Sequence, residues 1–122
     1  MRYMTIVKAA ETSAPPPLAL MEAIGRLGQE AAAQGVMVEM GGLLPTAMGA
    51  RVRLAGGRLT VSDGPFTEAK EVIGGYAIYA VGSKGEAIEW ARRFLALHQE
   101  HWPGWEGEVE LRQLYEPGSG PC

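Results

Sequence analysis

A mixed α+β domain is the fold class this sequence predicts, and three observations carry it. Short alternating apolar runs recur between turn residues. Two longer stretches repeat their apolar residues at helical spacing. A Gly56-Gly57 pair separates two further alternating runs. With 122 residues and 47% hydrophobic content, the chain suits one domain that buries a core.

Tyr3 to Lys8 alternates and is rich in β-formers, giving a first strand. A linker follows; Pro15-Pro16-Pro17 cannot be helix interior, although Pro17 suits a first helical turn. From Leu18 onward, Leu20, Met21, Ile24, Leu27 and Ala31 mark one helical face, and Gly35 is placed to close that helix. Val36, Val38 and Met40 give a second strand, ended by Gly41-Gly42. Arg51 to Leu54 and Leu59 to Val61 then flank a turn whose two glycines supply the positive φ that tight hairpins need. The Arg51/Arg53 face is expected to meet solvent and the Val52/Leu54 face to be buried.

After a turn at Asp63, Ile73 to Val81 reads as a long strand, apolar on both faces. Such a strand is central in its sheet or lies in an oligomer interface. Ser83-Lys84-Gly85-Glu86 is a capping box, with the Glu86 carboxylate expected at the Ser83 amide. Its helix runs to about His98, with Ala87, Ile88, Ala91, Phe94 and Leu95 inside. Trp102-Pro103-Gly104-Trp105 is a loop, and Glu108 to Tyr115 is the last strand. The order β-α-β, hairpin, β-α-β is a ferredoxin-like βαββαβ arrangement with an inserted β-hairpin. It occupies residues 1–116 as a single domain, with 117–122 as a turn-rich, flexible tail. Two helices on one side of an antiparallel sheet leave apolar residues bare on the other, which predicts a homodimer.

Several function classes are disfavoured. Charged residues make up 20% and the net charge is −3, with no basic patch to attract nucleic acid. One cysteine, Cys122, provides neither an internal disulfide nor zinc-type spacing. No apolar run approaches the roughly 18 residues that span a bilayer, and the N-terminal run breaks too early for a signal peptide. The expectation is a cytoplasmic protein with no membrane partner. No phosphate-binding glycine loop and no Gly-x-Ser-x-Gly elbow occurs, so no cofactor is expected. His98 and His101 stand at i, i+3, but no third ligand accompanies them, so no metal is expected either.

Chemistry is best sought around Asp63-Gly64-Pro65-Phe66. Asp-Gly-Pro is turn chemistry in its own right. The functional alternative sets the Asp63 carboxylate at a cleft mouth, as general base or polar anchor. Phe66 and Tyr76 would wall that cleft, or Phe66 would be a plain core aromatic. Lys70, Arg51 and Arg53 could hold an anionic ligand, or simply be solvated.

The stretch Asp63-Gly64-Pro65-Phe66-Thr67-Glu68-Ala69-Lys70-Glu71, followed by Ile73-Gly74-Gly75-Tyr76, resembles the signature of the DGPF proteins in the YCII-related superfamily. Arg2-Tyr3-Met4, Glu86 to Ala91 and Gly107 to Arg112 resemble the family's opening strand, second helix and closing strand. The resemblance implies a dimeric α+β barrel, two ferredoxin-like sheets face to face. It also implies a setting in which some relatives are encoded beside alternative sigma factors, and the wider superfamily includes a dehydrochlorinase of aromatic degradation with a His–Asp pair proposed as its active site. This chain keeps Asp63 but has no histidine in its first helix, where shorter relatives often carry theirs. Two readings stand. One is a dimer that binds or transforms a small aromatic or anionic molecule near Asp63. The other is a non-catalytic ligand-sensing or regulatory dimer, linked to a sigma factor.

Overall fold

A computed structural model describes residues 1–117; residues 118–122, with Cys122 and most of the expected tail, lie outside the described residues. Its elements are β1 (Arg2–Ala9), α1 (Leu18–Ala33), β2 (Met37–Gly42), a 3₁₀ turn (Thr46–Met48), β3 (Ala50–Ala55), β4 (Arg58–Asp63), β5 (Val72–Ala80), α2 (Lys84–His101) and β6 (Glu108–Gln113). Four strands form one sheet in the order β2-β5-β1-β6, every neighbour antiparallel. This is the ferredoxin-like order that the sequence predicts. The inserted hairpin β3-β4 is a separate two-stranded sheet.

Strand alternation sorts the main sheet into two faces. Tyr3, Thr5, Ala77 and Tyr79 are buried beneath the helices. Their neighbours Met4, Ile6, Tyr76 and Ile78 take the other face and are only half-buried. The core gathers Leu27 and Ala31 of α1 with Ala87 and Trp90 of α2 on the inner face of β1 and β5. Tyr79 and Trp90 stack at 5.6 Å between ring centroids. Arg93 of α2 pairs with Glu30 of α1, one of its two contacts being 2.8 Å, and its guanidinium lies 4.9 Å from the Trp90 ring centre.

Several local expectations are sharpened. Gly35 has a φ of 75° just past α1, and Gly56 and Gly57 have φ of 58° and 76° in the hairpin turn. The Ser83 hydroxyl accepts from the Glu86 amide at 3.2 Å, but the Glu86 carboxylate accepts from the Gly82 amide instead of that of Ser83. Helix α2 continues to His101, and its buried residues include Trp90 and His98, while Ile88 is exposed. Gly41 and Gly42 belong to β2 itself, paired with Tyr76 and Gly75 of β5, and the Tyr76 ring lies against Gly41 where a larger residue would crowd it.

The hairpin departs from expectation. Val52 pairs with Val61 and Leu54 with Leu59, so all four share one face. That face is between 69% and 73% exposed. The physical reason is that the hairpin extends from the domain as an arm and does not fold back onto the four-stranded sheet.

Candidate functional site

A cleft of about 1350 Å³ opens between α1, the helix-facing side of the sheet and the second half of α2. Its lining reaches the buried residues Thr5, Leu20, Leu27, Ala77, Tyr79 and His98. Its outer end is formed by exposed residues of three connections: Glu11 from the β1–α1 linker, Leu43 and Leu44 after β2, and Thr67 and Lys70 after β4. Met21 and Ile24 of α1 line one wall, with Phe94, Trp102 and Trp105 on the α2 side.

Those three connections are tied together by one threonine. The Glu11 carboxylate accepts from the Thr46 amide at 2.7 Å and from its hydroxyl at 2.6 Å. These bonds hold the Glu11 carboxyl below its ordinary pKa. The same Thr46 hydroxyl accepts from the Phe66 amide at 3.1 Å. At the signature turn, the Gly64 amide donates to the Gly49 carbonyl at 2.9 Å, and the Gly64–Pro65 peptide is cis. A Cβ on Gly64 would overlap the Thr46 carbonyl oxygen. Glycine is therefore required there by the close approach of two backbones.

The residues singled out in the sequence divide into two groups. Phe66 and Lys70 line the cleft. Arg51 acts on it indirectly, its guanidinium 3.8 Å from the centre of the Phe66 ring and paired with Glu68. That pairing lowers the Glu68 pKa. Tyr76 is a lining residue through its place in β5, but its side chain is on the sheet face away from the helices, where its hydroxyl donates to Glu39 at 2.5 Å, and this bond raises the phenol pKa. Asp63 and Arg53 are exposed on the hairpin and are not among the cleft residues. Asp63 closes β4 opposite Ala50.

The floor contains a residue whose position the sequence left open. His98 is 6% exposed and lies between two rings, Phe94 at 4.7 Å and Trp105 at 4.3 Å between centroids. Its Nδ1 is 3.0 Å from the Phe94 carbonyl oxygen. A carbonyl only accepts, so Nδ1 carries the proton. Burial lowers the imidazole pKa, which favours the neutral ring near pH 7. The Trp105 indole lies against Gly107, where a Cβ would overlap it and come within 2.8 Å of the Lys8 carbonyl oxygen. Among the described residues, no group of three His, Cys, Asp or Glu side chains is placed to hold a metal ion.

The signature turn, the interleaved sheet and the cleft now stand beside a profile match. The YCII-related domain matches residues 1–98, from β1 into the last turns of α2. The chain belongs to the YCII-related family. A similar protein is an uncharacterized protein of Rhizobium meliloti (strain 1021), 35% identical over 81 residues. That match covers 65% of this chain and 61% of the relative. In this YCII-related chain β6 lies beyond the matched span, yet it pairs with β1 from Tyr3–Gln113 to Lys8–Glu108 and completes the sheet. No described helix is long and apolar enough to cross a membrane.

Proposed function

We propose that this YCII-related chain is a homodimeric small-molecule-binding domain whose ligand occupies the cleft between α1, α2 and the sheet. The observation that carries this reading is the shape and lining of the cleft. It reaches buried apolar and aromatic side chains at one end, and its outer end is framed by polar groups such as Glu11, Thr67 and Lys70. Preformed concave sites of this composition are where proteins bind small organic molecules. Phe66 packs against an aromatic or aliphatic body, and Lys70 attracts an anionic group on the outer side. Asp63 and Arg53 stand outside the proposed site, because neither lines the cleft of its own chain.

Binding is favoured over catalysis. Among the described residues, the one hydrogen-bond partner of the His98 side chain is a backbone carbonyl, and no nucleophile is set beside it. The regulatory alternative uses the same cleft as a sensor and the exposed apolar face of the arm as a docking surface, for a partner such as a sigma factor. The homodimer is supported by the two apolar surfaces that one chain leaves open, the Met4/Ile6/Ile78 face and the Val52/Leu54/Leu59/Val61 face.

A thermal-shift screen of small aromatic molecules tests the proposal. Hits on the wild type that disappear in Ile24→Trp, which fills the cleft from α1, support it. A screen without hits, or hits indifferent to Ile24→Trp, rejects it.

A further inference from the structure

We propose that His98 is the recognition group at the floor of the cleft, its Nε2 accepting a hydrogen bond from a neutral hydroxyl on an aromatic ligand of phenol or naphthol type. This rests on the cleft being the binding site and adds the class of molecule it takes.

Four observations converge on it. The bond from Nδ1 to the Phe94 carbonyl fixes the tautomer and leaves Nε2 with a bare lone pair. Nε2 has no hydrogen-bond partner among the described residues, yet no buried side-chain nitrogen or oxygen is sealed off without one. His98 lines the cleft, and its Nε2 is not sealed off although the residue as a whole is 94% buried. The rings of Phe94 and Trp105 hold the imidazole from two sides, and they line the same cleft. An acceptor fixed among aromatic rings matches a flat ligand carrying one donor.

A second buried polar atom of the lining favours the same partner. Thr5 also lines the cleft and is buried, and its hydroxyl proton is committed to the Ala77 carbonyl at 3.1 Å. What Thr5 offers a ligand is therefore a second lone pair. A ligand carboxylate or phenolate placed against either atom would meet an acceptor and lose its hydration; a neutral hydroxyl would donate to it. Burial keeps the imidazole neutral, in keeping with its role as acceptor.

The test is a calorimetric titration of 2-naphthol and 2-methoxynaphthalene, which differ in the donor, against wild type, His98→Phe and His98→Gln. The expected result is wild-type binding of 2-naphthol about two- to tenfold tighter than the ether, the range one neutral hydrogen bond supplies. His98→Phe should erase that ratio, and His98→Gln, which restores an acceptor near the Nε2 position, should recover part of it. Equal binding of the two ligands to the wild type overturns the role of His98 and leaves the cleft as a binding site. Failure of both ligands to bind overturns the cleft as a binding site and, with it, the role of His98. The wild-type comparison stands even if a variant does not fold.

Discussion

Gly64 and Thr46 approach so closely that a Cβ on Gly64 would overlap the Thr46 carbonyl oxygen. The signature turn is thus fastened to the connection after β2, and through Thr46 to Glu11 of the first linker. Three segments distant in sequence become one frame around the outer end of the cleft. Gly64→Ala should therefore destabilise the domain by at least about 2 kcal/mol, the scale of an overpacked site that must move backbone. Urea unfolding followed by circular dichroism measures this; an unchanged midpoint would show that the turn yields without cost.

Asp63, one residue earlier, should behave differently. It is exposed and does not line the cleft. Asp63→Ala is expected to leave the affinity for a cleft ligand within about twofold, well below the tenfold that 1.4 kcal/mol represents. A tenfold loss by calorimetry would return Asp63 to the site.

His98 makes stability depend on pH in a defined window. Its folded pKa lies below the ordinary 6.5 because burial disfavours the charged ring. Between the two values the unfolded chain binds more protons than the folded one. The contribution of His98 is therefore fully present above pH 6.5 and declines as pH falls through 6.5 toward the folded value. The lowered carboxyl groups of Glu11, Glu30 and Glu110 act in a separate window, below their ordinary 4.5. Urea midpoints at pH 7.5 and 5.5 should differ for the wild type and differ less for His98→Phe. An equal drop in both would assign the effect to other groups.

The arm gives a prediction about assembly. Leu54→Glu with Val61→Lys puts charges on a face that is already solvent-exposed in one chain. Unfolding of the isolated domain should change little, because surface substitutions seldom exceed about 0.5 kcal/mol. Sedimentation equilibrium should show the wild type at twice its 13.0 kDa chain mass and the double variant shifted toward a single chain. A wild type that sediments at the single-chain mass would remove the dimer.

Much of this fold is legible in the sequence, for local reasons. Alternation in Tyr3 to Lys8, helical spacing from Leu20 to Ala31 and the Gly56-Gly57 turn each report on neighbours a few residues away. The order of elements then leaves few sheet topologies. What could not be read is long-range. His98 looks like a polar residue near a helix end, and only the packing of Phe94 and Trp105 on its ring shows that it is buried. Asp-Gly-Pro reads as a turn, but the need for Gly64 comes from Thr46. The arm's Val52 and Leu54 carry the pattern of a buried face, and sequence alone cannot state that their own chain leaves them uncovered.

The central claim, that the cleft binds a small aromatic molecule, is tested most directly by the three tryptophans. Trp102 and Trp105 line the cleft, whereas Trp90 packs against Tyr79 in the core and does not. In ¹⁵N-labelled protein each indole N–H gives its own resonance. Titration with 2-naphthol should shift the Trp102 and Trp105 signals and leave Trp90 in place. Indole signals that stay still throughout the titration, or a shift confined to Trp90, would contradict the account.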